Sequence, residues 1–288
     1  MNSPISRPES AGTAVLAGCG DLGARVGQRL TRLGYRVLGL RRHPEHLPVG
    51  IAGQAVDLRE QRPQLPADTT LVVVALTADA YTASAYRDTY VTGLRRVLDA
   101  IEEDLPAPPR MLLVSSTAVY GVTDGSWVDE QHPAIPATDT GAQLRAAEAC
   151  LQARQPEGIV LRLGGLYGPG PSRLVTSVRD GTATVPAAPM FTNRIHRDDA
   201  AGVIVHLATR RASAQRLYLG VDHEPVERAV VLRYVAELLG VPPPPVAAEE
   251  SGRGSGKRCS GELLRSTGYT FSYPTYREGY RAALEGSR

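Results

Sequence analysis

A chain of 288 residues and 30.8 kDa, 42% hydrophobic and 22% charged, is long enough to bury a sizeable core. Its formal net charge of +2 is too slight to call for a nucleic-acid or membrane surface, and no apolar run reaches membrane-spanning length. Three widely spaced cysteines form no metal pattern and suit a reducing, cytoplasmic setting.

Residues 1–12, MNSPISRPESAG, are polar with no apolar centre and are expected to be a disordered leader. Ala14 to Ala17 then reads as a buried strand that breaks at Gly18-Cys19-Gly20-Asp21-Leu22-Gly23. A helical pattern follows, with Leu22, Val26, Leu30 and Leu33 on one face, and Gly34 stops it before a second strand, Val37 to Leu40. Glycines between strand and helix of a βαβ unit form a dinucleotide fingerprint. Gly18 permits the turn, Gly20 lets backbone approach a pyrophosphate, and Gly23 lets helix pack on strand. Asp21 and Leu22 open the helix, whose free N–H groups favour an anion. Cys19 reads as a small filler.

The second strand ends in Arg41-Arg42, where an NAD site carries Asp or Glu. A guanidinium forks onto a phosphate and cannot accept a hydrogen bond from a hydroxyl. NADP(H) is therefore the expected cofactor, with Arg41 and Arg42 on its 2′-phosphate; the alternative is ordinary solvated charge.

Gln54 to Asp57 is the candidate third strand, with Asp57 and Leu58 where related nucleotide folds touch adenine. Leu71 to Ala75 is a buried strand by its apolar, β-branched run, and Ala75 and Leu76 at its end join the expected cofactor contacts. A long helix from about Ala78 to Asp104 presents Tyr86, Tyr90, Leu94, Val97 and Ile101, and Met111 to Val114 runs into Ser115-Ser116-Thr117. This alternation predicts an α/β fold with a doubly wound parallel sheet, the Rossmann arrangement, over residues 13–164.

Helix over Thr138–Arg154 and strand over Ile159–Leu163 complete the expected sheet. Residues 165–288 are expected to form mainly a small C-terminal substrate lobe, with segments returning to the sheet. It would hold helices at Leu174–Asp180, Asp198–Thr209 and Val226–Leu239, and a strand at Arg216–Leu219. VPPPPVAAEESGRGSGKR reads as a linker or mobile loop, and the aromatic tail Gly261–Leu284 as a docking segment.

Several motifs now stand in order: GCGDLG, the Ser115–Gly121 run SSTAVYG, Trp127-Val128-Asp129-Glu130 with Pro136, the Leu161–Gly170 run LRLGGLYGPG, and Asn193-Arg194-Ile195-His196-Arg197-Asp198-Asp199. Together they resemble the extended short-chain dehydrogenase/reductase family, the group of sugar-nucleotide epimerases and dehydratases. The ending resembles an atypical bacterial branch. In that family a Tyr-x-x-x-Lys dyad passes the proton that accompanies hydride transfer. Thr140 and Leu144 stand at those two positions, and Lys257 is the only lysine in the chain, so the dyad is absent.

The resemblance implies that Ser116 and Thr117 hold a substrate oxygen; strand-end capping is the alternative. Tyr120 is the leading substitute proton donor, with a packing phenol as the alternative. Tyr167 is expected over the nicotinamide, and Asn193, Arg194 and His196 near the substrate, although His196 also suits a structural role. Arg253, Lys257 and Arg258 could close on an anionic substrate or form an exposed flexible loop. Arg162 is expected in a structural ion pair, and Asp129 and Glu130 in a surface turn.

The implied function is an atypical NADP(H)-dependent oxidoreductase or epimerase acting on a small polar metabolite, without metal. A noncatalytic NADP(H)-binding regulator is the alternative, and acid–base work around a structural cofactor is a third reading. Neither nucleic acid nor membrane is an expected partner, and a homodimer stays open.

Overall fold

The computed structural model describes residues 11–170, 172–210, 215–247 and 256–285; most of the expected leader, and Arg253, lie outside them. β1 (Thr13–Ala17) is buried throughout, α1 (Asp21–Arg32) follows the glycine turn, and β2 (Arg36–Arg41) pairs with β1 in parallel, Arg36 opposite Thr13. Val26 and Leu30 carry the buried face of α1, whereas Leu33 lies past its last turn and is exposed. β3 (Ala52–Ala55) begins two residues before its expected start. Its pairing on β2, Ala52 opposite Leu38, fixes the register, and its mostly exposed side chains leave little period in the sequence.

β4 (Thr69–Val74) and β5 (Arg110–Ser116), read from their apolar runs, pair in parallel. Between them the expected single helix is three pieces. α2 (Ala83–Tyr86) is capped by Thr82, whose Oγ1 accepts from the Ala85 amide; a π-helical turn covers Arg87–Thr92; α3 (Gly93–Asp104) completes the stretch. The wider turn shifts the helical phase so that Thr89 and Val91 face inward along with Leu94 and Val97.

β6 (Trp127–Val128), α4 (Asp139–Arg154), β7 (Ile159–Leu163), β8 (Gly165–Tyr167) and α5 (Arg173–Arg179) come next. They are followed by β9 (Phe191–Thr192), β10 (Arg194–His196), α6 (Arg197–Thr209) and β11 (Leu217–Gly220). Val226 and Glu227, expected to open a helix, form β12 against β9, so α7 is Arg228–Leu239. β13 (Arg258–Cys259), α8 (Glu262–Ser266) and α9 (Tyr276–Glu285) close the described chain.

The central sheet is seven-stranded and parallel, in the order β11-β7-β5-β4-β1-β2-β3. The strand order runs outward from β1 through β2 to β3 and then restarts with β4 on the other side of β1, and open α/β sheets bind ligands outside the carboxyl ends of the strands at such a switch point. Two compact units divide the chain. Unit 1 comprises Met1–Val114, Ala146–Val160 and Ile204–Arg216; unit 2 comprises Ser115–Arg145, Leu161–Val203 and Leu217–Arg288.

Unit 2 holds three two-stranded ladders, β10-β8, β12-β9 and β13-β6, and an apolar cluster that includes Val178, Val231, Val235, Tyr276 and Tyr280. Its tail is held by Asp199, which is 1% exposed and accepts from the Ser272 and Tyr273 amides at 2.8 Å each. Among the described residues no helix is long and apolar enough to cross a membrane.

Candidate functional site

The glycine turn in unit 1 is built by β1 ending at Ala17 and α1 starting at Asp21. Gly18 has φ +83°, and a Cβ on it would lie 2.5 Å from the Ala75 carbonyl oxygen at the end of β4. Both its conformation and its packing therefore demand glycine. A Cβ on Gly23 would sit 3.1 Å from the Gly18 carbonyl oxygen, which marks the close helix–strand approach. Gly20 differs: its φ is −82°, open to any residue, and a Cβ there would meet nothing within 4 Å. Gly20 is also the N-cap of α1 and supplies no side-chain acceptor to the first-turn amides. Cys19 fills space beneath the turn, and burial pushes its thiol up to about 11.

At the end of β2 the two arginines part. Arg41 Nη1 donates to the Cys19 carbonyl at 3.3 Å, bracing the turn. Arg42 forks onto both oxygens of Asp79, at 2.8 and 2.9 Å. Arg59 donates through Nη1 to the same Asp79 carboxylate at 2.9 Å, and through Nε and Nη2 to Asp57 at 2.9 and 2.6 Å. The Arg59 hydrogen bond is the main cause that brings Asp57 down to about 2, and Arg42 chiefly holds Asp79 below its ordinary range. Leu58 is buried beside Gly93, its carbonyl accepting from Arg96. The Ala75 amide donates to the Ala17 carbonyl at 2.8 Å, and Leu76 packs on Gly93. Arg59 and Asp79 were not singled out in the sequence. No spacing links positions 42, 59 and 79; only the neighbourhood of β4, β1, β2 and β3 does.

In unit 2, Ser116 ends its strand in a tight turn, its Oγ accepting from the Ala118 amide at 3.2 Å, and Thr117 is buried next to it. Tyr120 is not poised to move a proton. It is 2% exposed; its hydroxyl donates to the Asp129 carbonyl at 2.9 Å and accepts from Arg162 Nη1 at 2.6 Å. Burial pushes its phenol up to about 12 against the opposing Arg162 charge. This is the setting of a bracing phenol, and Arg162, expected in an ion pair, is its partner. Thr140 and Leu144 are both buried on α4, and Thr140 Oγ1 lies 3.2 Å from Thr138 Oγ1. No phenol or ammonium occupies either position.

Lys257 is also far from a mobile basic loop. It is 1% exposed, and its amine donates to the Tyr120 carbonyl at 2.8 Å. Arg258 donates Nε to the Gly125 carbonyl at 2.7 Å and lies between the Trp127 and Phe191 rings, 5.3 and 4.7 Å from their centroids. The other expected substrate residues brace the unit as well. Asn193 links the Lys257 carbonyl and the Cys259 amide, at 3.1 and 2.7 Å. Tyr167 donates to the Thr275 carbonyl at 3.2 Å, buried Arg194 lies 5.6 Å from the Tyr276 ring centroid, and His196, with no exposure, stacks 3.8 Å from Tyr273.

A cavity of about 530 Å³ in unit 2 is lined by Trp127, Asp129, His132, Asp222, His223 and Arg265 among others, and by none of those six expected substrate residues. Asp222 is 2% exposed; its Oδ1 accepts from the Glu224 amide at 3.2 Å, while Oδ2 is buried without a hydrogen-bond partner. Burial pushes its carboxyl up to about 7, with Arg194 opposing. Burial, then Arg265, keeps His223 below the usual imidazole range. Sequence reasoning passed over this pair because Val221-Asp222-His223 follows a strand with no spacing that marks a site.

The model of the NAD dependent epimerase/dehydratase family matches residues 14–218. Over 185 residues the chain is 29% identical to the dTDP-6-deoxy-L-talose 4-dehydrogenase (NAD(P)(+)) of Kitasatospora kifunensis, an alignment that covers 59% of this chain and spans only 56% of that relative. Among solved structures, a candidate NAD-dependent epimerase/dehydratase from Methylobacillus flagellatus is 34% identical at TM-score 0.79, with 96% of this chain and 99% of that one covered. The human epimerase family protein SDR39U1 (isoform 2), solved with NADPH, shares the fold at TM-score 0.76 and 21% identity, over 95% of this chain and 99% of its own.

Proposed function

This chain belongs to the NAD dependent epimerase/dehydratase family, and from that premise we propose that it binds NADP(H) and works as an oxidoreductase or epimerase on a small polar metabolite, with a non-standard catalytic site. Gly20 is the observation that carries the cofactor. Neither its φ of −82° nor its surroundings require glycine, since a Cβ would meet nothing within 4 Å. A pyrophosphate lying against the backbone supplies the missing reason, and the uncapped first turn of α1 supplies the donors. In this reading Gly18, Asp21, Leu22 and Gly23 shape the turn, and Asp57, Leu58, Ala75 and Leu76 border the adenosine.

Preference for NADP(H) is supported by Arg41-Arg42 at the end of β2, where a ribose-binding acid would otherwise stand. The NAD(P)(+) in the Kitasatospora relative's name, the NADPH of the human structure and the NAD of other solved neighbours support the broader class, a nicotinamide dinucleotide. When bound, the dinucleotide gives or takes the hydride. Ser116 and Thr117 orient the substrate oxygen, and Tyr120 braces the segment that carries them.

Calorimetry on the purified chain should find NADPH bound at least about tenfold tighter than NADH, a gap of about 1.4 kcal/mol. No heat from either dinucleotide at millimolar concentration would end this reading.

One observation favours a second reading, a noncatalytic NADP(H)-binding regulator: buried Thr140 and Leu144 fill the dyad positions, and Tyr120 is locked by Arg162. The two readings part on NADPH absorbance in the presence of dTDP-sugars and small ketones. A falling signal means turnover. A constant one with tight binding means a sensor.

A further inference from the structure

We propose that Arg59 is a further ligand of the ribose 2′-phosphate, and that Asp79 is the built-in anion which that phosphate displaces; the proposal rests on the NADP(H) reading above. Two guanidinium groups converge on one carboxylate: Arg42 grips both Asp79 oxygens, at 2.8 and 2.9 Å, and Arg59 adds Nη1 to one of them at 2.9 Å. Two forked cations on one anion is the arrangement a phosphate monoester seeks. The three side chains follow the carboxyl ends of β2, β3 and β4, the edge of a parallel sheet where ligands gather. All three are reachable from solvent, with side-chain exposures of 49%, 36% and 51% for Arg42, Arg59 and Asp79. Asp57 pins the Arg59 stem through Nε and Nη2, which leaves Nη1 fixed in direction and engaged only with an exchangeable partner.

Charge then decides what Asp79 does. A phosphate monoester carries about −1.5 to −2 at neutral pH, so it cannot share these guanidiniums with a carboxylate without strong repulsion. Asp79 must leave for the phosphate to enter. It thereby weakens binding of phosphorylated adenosine and leaves the unphosphorylated kind untouched. Ordinary exposed ion pairs would have no such selectivity.

The test is calorimetry of the full chain with 2′,5′-ADP and with 5′-AMP, probes that differ in the 2′-phosphate. Wild type should prefer 2′,5′-ADP. Arg59→Ala should weaken 2′,5′-ADP by about tenfold, and Asp79→Asn should tighten it by about fivefold, with 5′-AMP unchanged in both. If wild type fails to distinguish the probes, the NADP(H) reading itself falls. If it does distinguish them and Arg59→Ala leaves the gap intact, Arg59 is no ligand. Unchanged or weaker 2′,5′-ADP binding by Asp79→Asn removes the displaced-anion role.

Discussion

Asp222 is the residue whose surroundings make the clearest demand on folding. Burial holds its carboxyl near 7, whereas in an unfolded chain it would titrate near about 4. Between those values the folded protein keeps a proton that the unfolded chain has released. Its contribution to stability is therefore complete below about pH 4 and is lost as pH rises through about 7. Asp222→Asn, which keeps an acceptor for the Glu224 amide, should flatten that decline. Denaturant midpoints should match wild type near about pH 4 and exceed it near about pH 8. Parallel curves would show that the carboxyl is not held neutral. The same scale explains what the sequence hid around Tyr120. Its place in SSTAVYG is equally compatible with a proton donor and a brace, and only the Arg162 and Asp129 contacts choose the brace.

The glycine turn lets one element be tested for two demands. Gly18→Ala forces an L-residue to φ +83° with a 2.5 Å contact on the Ala75 oxygen, and should cost about 1–3 kcal/mol of stability or more. Gly20→Ala meets no such obstacle, so its melting temperature should stay within about 2 °C of wild type while NADPH affinity falls at least about tenfold. Melts and calorimetry on the two variants check both halves, and unchanged NADPH affinity in Gly20→Ala would remove the ligand explanation. This turn was legible in the sequence because its glycines lie between a continuous apolar strand and a 3.6-residue period. β1, β2, β4 and β5 were legible for the same reason. The edge strand β3 and the π-helical turn were not: one is stabilised by register with β2, the other by a phase change that no window average registers. The trio of Arg42, Arg59 and Asp79 belongs to the same class of hidden feature, since strand order alone assembles it.

At the scale of the whole molecule, the family and the doubly wound sheet follow from motif order, whereas the interior of unit 2 does not. Its expected substrate side chains carry contacts between distant segments, and so does Asp199 at the start of α6, which holds the C-terminal tail. Asp199→Ala leaves two amides, those of Ser272 and Tyr273, without their acceptor. A loss of about 2–5 kcal/mol is expected in urea unfolding, together with faster proteolysis within the tail. Wild-type proteolysis rates in the variant would show that the aromatic contacts alone hold the tail down.

Lys257 gives unit 2 a built-in reporter. It is the sole lysine of the sequence, 1% exposed, with its amine bonded to a backbone carbonyl. An acylating reagent therefore finds no lysine amine on the native surface, and a protease that cuts after lysine finds a single, sealed target. The rate at which position 257 becomes labelled measures how often that interior opens, without an engineered probe anywhere in the chain.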